Sequence, residues 1–321
     1  MKTITIAIDG MGGDNAPAAV VEGALNAARA HENARLLLVG RKDEIDGEIL
    51  KHGSNPRVTV LHAEEVIGMD ESPTTAIRKK KNSSMVVGLN CVKEKEADAF
   101  VSAGNTGALL TGATVIIGRS EGIERPALGT MLPNTKGFTL LIDSGANMDA
   151  KPSYLAQFAV IGSEYVRKTT GIAQPRVGLI NVGAEKEKGN SLVKEAYALL
   201  EALPDINFIG NVEAREVPHG AADVAVCDAF VGNVVLKYTE GFAKALMEII
   251  KDELTAGTVT KIGALLAKPA FKRLKKRFDH REVGCAPFLG LKALVAKAHG
   301  SSDAYAITNA INQCINFAEK A

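Results

Sequence analysis

Tryptophan is absent from this chain, and aromatic residues fill only 5% of its 321 positions. The core must therefore be aliphatic, with Val, Ile, Leu and Ala interleaved among 31 glycines. Cysteine is scarce and scattered. Cys91, Cys227, Cys285 and Cys314 form no CxxC pair, which fits buried thiols in a reducing compartment. Six histidines without HxH or HExxH spacing offer little to a metal, and neither metal nor cofactor is expected. The GxSxG elbow of a serine hydrolase is missing. No run approaches the ~18 apolar residues of a membrane span. The opening Thr3-Ile-Thr-Ile-Ala-Ile-Asp9 alternates and then meets a carboxylate, as a strand does and a signal peptide does not. These absences predict a cytoplasmic protein whose contact with membranes is peripheral.

The bulk composition is ordinary: 46% hydrophobic and 23% charged, as in soluble globular proteins. With no internal repeat and no low-complexity linker, residues 1–321 read as one large domain. Net charge is +1, but it is unevenly placed. Between Lys261 and Arg281 lie eight basic residues and a single acid, Asp279, a local +7 that leaves the remainder at −6. That acidic remainder argues against nucleic acid as a partner.

Strand-like and helix-like stretches alternate along the chain. Expected strands are Ile4–Asp9, Arg35–Val39, Val58–His62, Asp98–Ser102, Ala127–Leu132, Phe138–Asp143, Arg176–Val182, Ile206–Asn211 and Val224–Cys227. Expected helices are Pro17–Ala30, Asp43–His52, Pro73–Lys95, Thr106–Ile117, Ser153–Thr170, Ser191–Ala202 and Val234–Leu254. This order predicts right-handed crossovers and a doubly wound, mainly parallel sheet in an α/β/α sandwich. Ala127–Leu132 and Phe138–Asp143 are close enough to form a hairpin. Residues 255–283 read as an inserted, protruding, basic amphipathic hairpin of two short helices joined at Pro269. Val259, Ile262, Leu265 and Leu266 share one apolar face; Phe271, Leu274 and Phe278 lie within ~60° of one another on a second.

Six strand-like segments each run into a small-residue turn: Asp9–Asp14, Ser102–Gly107, Asp143–Asn147, Asn181–Asn190, Asp228–Asn233 and His299–Asp303. Parallel strands would gather these turns along one carboxyl edge, where α/β sheets bind ligands. Turns that open helices suit an anion. Gly104 permits a tight turn, while Asn105 or Thr106 caps the next helix and its free N–H groups face a phosphate. A well-capped turn without a ligand accounts for the same residues. Asp9-Gly-Met-Gly-Gly-Asp14 is not GxGxxG, and Val39-Gly40-Arg41 stands where an acid would bind ribose, so a dehydrogenase is disfavoured. Asp9 and Asp14 either position a substrate or a Mg²⁺, or cap and stabilise their turn. Lys186 and Lys188, on a glycine-bounded loop, are phosphate clamps or a solvated charge run. His299, Ser301 and Ser302 precede the final helix, with Ser302 or Asp303 as its cap. Arg78, in Arg78-Lys-Lys-Lys81, reaches a phosphate or lies on a basic face.

Taken together, Asp9-Gly-Met-Gly-Gly-Asp-Asn-Ala-Pro17, Ser102-Ala-Gly-Asn-Thr-Gly-Ala108, Ile142-Asp-Ser-Gly-Ala-Asn147, Asn181-Val-Gly-Ala-Glu-Lys-Glu-Lys-Gly-Asn190 and Ala298-His-Gly-Ser-Ser-Asp303 closely resemble the bacterial phosphate acyltransferase of phospholipid synthesis (PlsX-type). The resemblance spans almost the whole chain, in order. It implies conversion of a long-chain acyl-[acyl carrier protein] and inorganic phosphate into acyl phosphate and free carrier protein. It also implies use of the product by a membrane glycerol-3-phosphate acyltransferase (PlsY-type), a homodimer, peripheral membrane association, and a fold similar to phosphotransacetylases and isopropylmalate-type dehydrogenases.

On that footing the residues receive roles. Phosphate monoesters have a second pKa of about 6, and inorganic phosphate should likewise be substantially dianionic at neutral pH; it is its own nucleophile, so no acyl-enzyme is required. Gly104, Asn105 and Thr106 are expected to bind it, with Asp9, Gly12, Gly13, Asp14 and Ser102 around them. Lys188 and Asn190 would neutralise charge. His299 with Ser301 and Ser302 would assist the carbonyl oxygen or protonate the leaving thiolate. Asp143 and Asn147 would orient these groups, and Asn233 would join the substrate shell. Leu265, Leu266, Phe271, Lys272, Arg273, Leu274, Lys275, Lys276 and Arg277 would meet an anionic membrane surface, the carrier protein or a second copy of the chain. At a membrane each basic residue adds ~1 kcal/mol.

Overall fold

The computed structural model describes residues 3–320. In chain order the elements are β1 (Ile4–Asp9), α1 (Ala18–Ala30), β2 (Ala34–Gly40), α2 (Lys42–His52), β3 (Val58–His62), α3 (Pro73–Lys79), α4 (Ser84–Lys93), β4 (Ala99–Ser102), α5 (Thr106–Ile116), β5 (Ala127–Asn134), β6 (Gly137–Ile142) and α6 (Pro152–Thr170). They continue with β7 (Arg176–Asn181), α7 (Ser191–Glu201), β8 (Asn207–Glu213), a 3-10 turn (Ala214–His219), β9 (Val224–Val226), α8 (Ala229–Thr255), α9 (Thr258–Phe278), β10 (Cys285–Leu289), β11 (Leu294–Ala298) and α10 (Ala304–Lys320).

All eleven strands join one sheet in the order β3-β2-β1-β4-β11-β10-β5-β6-β9-β7-β8. Alternation along each strand buries both faces. On β1, Ile6 and Ile8 pack with α1, α2 and α10, while Ala7 packs with α3, α4 and α5. On β6, Leu140 and Ile142 face α6 and α7, while Leu141 meets Val231 and Val235 of α8. The sandwich expected from the sequence is present, with a mainly aliphatic core into which Phe100 and Phe158 are also packed.

The sheet departs from the expectation at its centre. β11 runs parallel to β4, but β10 is antiparallel to β11, β5 antiparallel to β10, and β6 antiparallel to β5. Beyond this junction β9, β7 and β8 follow β6. The two parallel halves therefore point in opposite directions. The carboxyl ends of β1, β4 and β11 share one edge, and those of β6, β9 and β7 share the other. Strand direction does not gather all six turns in one place.

Three further differences have local causes. The expected helix Pro73–Lys95 is two helices, because Ser83 caps α4 by accepting from Val86 N at 3.4 Å. The break leaves Ser84 buried at the start of α4. β10 and β11 escaped the sequence reading because Pro287 interrupts the first and Lys297 the second. Pro287 sits where β10 passes from pairing with β11 to pairing with β5, so its missing N–H falls at the handover. Finally, the hairpin is not two short helices within 255–283. α9 runs unbroken through Pro269 and packs along the long α8, which supplies the other arm.

Candidate active site

At the first edge, three neighbouring strands place polar residues in a row on the face covered by α4 and α5. Lys297 of β11 is registered with Ser102 of β4. Ser102 Oγ in turn donates to Asp9 Oδ2 of β1 at 2.6 Å. Ser84 Oγ, at the start of α4, donates to Asp9 Oδ1 at 2.6 Å, and Met11 N at 3.3 Å. Asp9 is only 3% exposed. Burial pushes its carboxyl above the ordinary range, against the pull of the two hydroxyls and of Lys297.

The loops beyond the row interlock. Asp14 N donates to Gly300 O at 2.8 Å, and Asn15 Nδ2 donates to Ser301 O and Ser302 O, both at 3.2 Å. Gly12 has no room for a side chain: a Cβ there would lie 2.4 Å from Asp9 Oδ2 and 2.9 Å from Gly104 N. Lys297 Nζ donates to Ala103 O at 3.2 Å and to Ala298 O, tying the β4–α5 turn to the end of β11, where the β11–α10 loop begins. His299 Nδ1 is 2.8 Å from Ser301 Oγ and accepts from Ser301 N at 3.3 Å. A neutral ring so bonded carries its proton on Nε2. Asp303 caps α10 by accepting from Ala306 N at 2.9 Å, which holds its carboxyl below the usual range. Ser302 Oγ is buried without a hydrogen-bond partner among the described residues.

At the second edge, Asp143 is fully buried and its carboxylate accepts five N–H bonds. Leu128 N, Gly145 N and Ala146 N reach Oδ1 at 3.2, 3.0 and 2.9 Å; Asn147 N and Nδ2 reach Oδ2 at 2.8 and 2.7 Å. Burial pushes this carboxyl up as well, while the donors pull it down. Asn147 Nδ2 also donates to Pro126 O at 2.8 Å. Gly232 lets α8 approach so closely that a Cβ would fall 1.9 Å from Asp143 O. Asn233 Nδ2 lies 3.3 Å from Ser144 O. Asn190 caps α7 by accepting from Val193 N at 3.0 Å, and Asn181 Nδ2 donates to Lys188 O at 3.0 Å. The Lys188 side chain is exposed and its stem lies against Gly183. Lys186 points elsewhere, 2.5 Å from Glu201 and 5.2 Å from the Tyr197 ring centroid.

The structure thus brings Asp9, Gly12, Gly13, Asp14, Ser102, Gly104, Asn105, Thr106, His299, Ser301 and Ser302 together at one edge. Asp143, Asn147, Lys188, Asn190 and Asn233 assemble at the other. Several expected ligand groups are spent on the chain itself. Gly104 N donates to Ser102 Oγ at 3.0 Å. Asn105 Oδ1 accepts from Ala108 N at 3.0 Å, and its Nδ2 donates to the carbonyls of Gly68, Met69 and Glu71. What remains for an anion is the first turn of α5 around Thr106 and Gly107, whose N–H groups have no acceptor within the helix. Ser84 and Lys297 were missed: one lay in an expected helix interior, the other in an unrecognised strand. Among the described residues no group of three or more His, Cys, Asp or Glu could hold a metal. A cavity of about 450 Å³ between α6 and α10, lined by Met131, Tyr165, Gln313 and Phe317, contains none of these residues.

Comparison with known proteins agrees with this architecture. A family described as "Fatty acid synthesis protein" matches residues 4–321. Curated relatives named phosphate acyltransferase include one from Alkaliphilus oremlandii, 50% identical over 97% of this chain and 93% of the relative. Another, from Clostridium beijerinckii, is 50% identical over 96% of this chain and 93% of the relative. Among solved structures, the EutD phosphotransacetylase from Staphylococcus aureus covers 99% of this chain and 94% of its own, with a TM-score of 0.62 at 15% identity. A 4-hydroxythreonine-4-phosphate dehydrogenase from Klebsiella pneumoniae covers 99% and 100%, with a TM-score of 0.56 at 13% identity. These two share the fold. The chain belongs to the fatty acid synthesis protein family, and within it to the bacterial phosphate acyltransferases.

Proposed function

We propose that this protein transfers a long-chain acyl group from an acyl-[acyl carrier protein] thioester to inorganic phosphate, making acyl phosphate for phospholipid synthesis. The observation that carries the reading is the first edge, where the start of α5, the His299–Ser301 pair and the Asp9–Ser102–Lys297 row converge in a chain half identical to phosphate acyltransferases. A phosphate oxygen attacks the thioester carbonyl carbon; a C–O bond forms and the C–S bond breaks. The electron pair leaves on sulfur, which takes up a proton. Phosphate occupies the first turn of α5, at Thr106 and Gly107. His299 Nε2–H serves the carbonyl oxygen or the departing thiolate. Proximity and a donor to the developing oxyanion supply the rate, one such donor contributing ~3–4 kcal/mol. Burial pushes the Cys91 thiol up to about 11 and that of Cys227 up as well, so neither serves as a nucleophile.

The hairpin supports the expected peripheral association and homodimer. Phe230, Val234, Tyr238, Phe242 and Leu246 recur at four-residue intervals on α8, all exposed, which suits a second copy packing against that stripe. On α9, Leu265 and Leu266 are 69% and 79% exposed, close to the basic run from Lys272 to Arg277. That combination suits an anionic bilayer, and the product would pass there to a glycerol-3-phosphate acyltransferase (PlsY-type). Among the described residues no helix is long and apolar enough to cross a membrane.

The test is phosphate-dependent release of thiol from palmitoyl-[acyl carrier protein], with the product trapped as hydroxamate. Matching thiol and hydroxamate are expected. Faster turnover of acetyl-CoA would make the protein a short-chain phosphotransacetylase, and phosphate binding with no turnover of either donor would leave a scaffold.

A further inference from the structure

We infer that Lys297 is a positioning residue for this reaction: its ammonium clamps the Ala103 and Ala298 carbonyls and so fixes the phosphate-binding turn against the His299 loop. The inference rests on the acyl transfer to phosphate proposed above, and it concerns a residue outside every motif that led there.

The position is unexpected for a lysine. β11 lies inside the sheet between β4 and β10, and its sequence Leu294-Val-Ala-Lys-Ala298 is otherwise aliphatic. Val295 is buried on the same face, and Ala286 faces Lys297 across β10. An aliphatic residue would pack there without desolvating a charge. What the ammonium gains is two backbone carbonyls, Ala103 O in the β4–α5 turn and Ala298 O at the end of its own strand, just before the His299 loop. Ala103 lies between Ser102, which bonds Asp9, and Gly104, which leads to the α5 cap at Asn105. Ala298 directly precedes His299. One cation thus sets the spacing between the anion-holding helix start and the imidazole. The same loops touch again through Asp14 N to Gly300 O.

The ionisable groups facing Lys297 are Asp9 at the end of β1 and Asp14 in its loop, and both pull its pKa up. Ser84 of α4 and Ser102 of β4 hold Asp9, β10 presents only Ala286, and His299 lies two residues along the chain. Desolvation is the stronger influence and brings the lysine down to about 8. The clamp therefore weakens as pH rises through that value. Stability runs the other way. An unfolded lysine keeps its proton to about 10.4, so between the two values the folded state gains stability with rising pH. Loss of the Lys297 proton therefore does not by itself unfold the protein where the loss of binding is expected.

The experiment measures the Kd for inorganic phosphate and the rate of phosphate-dependent thiol release from pH 6 to 10, on the full chain. Wild type, Lys297→Arg and Lys297→Met are compared. We expect wild-type binding and turnover to fall above about pH 8. Lys297→Arg, which keeps its charge across this range, should remain active and lose that fall. Lys297→Met should bind phosphate at least tenfold more weakly at pH 7 while melting as a folded protein. The clamp is refuted if Lys297→Arg shows the same alkaline fall, or if Lys297→Met keeps the wild-type Kd and turnover. A wild type that binds phosphate without turnover defeats the acyltransferase reading, yet its Kd series still decides the clamp. A wild type that neither binds nor turns over removes both.

Discussion

Asp9 and Asp143 are both buried carboxylates at carboxyl ends of strands, yet they differ in what surrounds them. Asp143 accepts five N–H bonds, all from groups that can only donate. Asp9 accepts from two hydroxyls and one N–H, and hydroxyls can turn to donate or accept. The first shell is a rigid framework around an anion, and it defines the turn from Asp143 to Asn147. The second is adjustable, and it lies across β4 from the half-buried Lys297. Burial alone does not mark a functional carboxylate; the flexibility of its partners does.

The same substitution at both sites separates the two cases. Asp143→Asn would aim an amide N–H₂ at donors, either Asn147 or the Leu128–Ala146 set, leaving buried N–H groups unpaired. The cost should be about 3 kcal/mol or more, read as a lower urea midpoint with loss of all activity. An unchanged midpoint would mean that the Asp143 shell does not hold the turn. Asp9→Asn should behave differently. Its carboxyl is raised by burial, so the folded state holds the proton to higher pH than the unfolded one. That contribution to stability is complete below the unfolded pKa and is lost as pH rises to the folded value. At neutral pH the ionised group opposes folding, and Asp9→Asn should melt at or above the wild-type temperature. Activity should nevertheless fall about 100-fold, because the charge that faces Lys297 is gone and the turn shifts. A variant that loses stability and keeps its turnover would reverse the roles assigned to the two carboxylates.

The difference also explains what could be read from the sequence. Strand and helix periodicity gave the layers, since Ile6 and Ile8 against Ala7 already separate the two faces. The small-residue turns gave Asp9, Ser102, Asp143 and His299. Strand direction was not legible, because it depends on β10 and β5 at the centre, and β10 carries a proline that hides it. One reversed hairpin moves three of the six turns to the opposite edge. Ser84 was hidden by a helix break that only the cap at Ser83 reveals. Lys297 was hidden because a lone basic residue in an aliphatic stretch has no periodic signature. Its distant partner, the Ala103 carbonyl 194 residues away in the chain, meets it only in the fold.

The loop Glu185–Asn190 sharpens the comparison within six residues. Lys186 and Lys188 are equivalent as sequence, two lysines alternating with glutamates. In the fold Lys186 is held by Glu201 and lies over the Tyr197 ring, whereas Lys188 makes no ion pair among the described residues. An ammonium already neutralised contributes little to an incoming anion, and a solvated one contributes by reaching it. Lys188→Ala should leave melting unchanged; a rise of about tenfold in the KM for phosphate, the value of one charged hydrogen bond, would bring the second edge into the phosphate site proposed at α5. An unchanged KM would confine the phosphate site to the first edge. Lys186→Ala should change neither melting nor KM measurably, because an exposed pair loses to solvent most of what it gains. Should Lys186→Ala raise the KM while Lys188→Ala does not, the loop must turn over when substrate binds, exchanging the glutamate partner of Lys186 for phosphate. The second edge would then be the adjustable one and the first edge the framework.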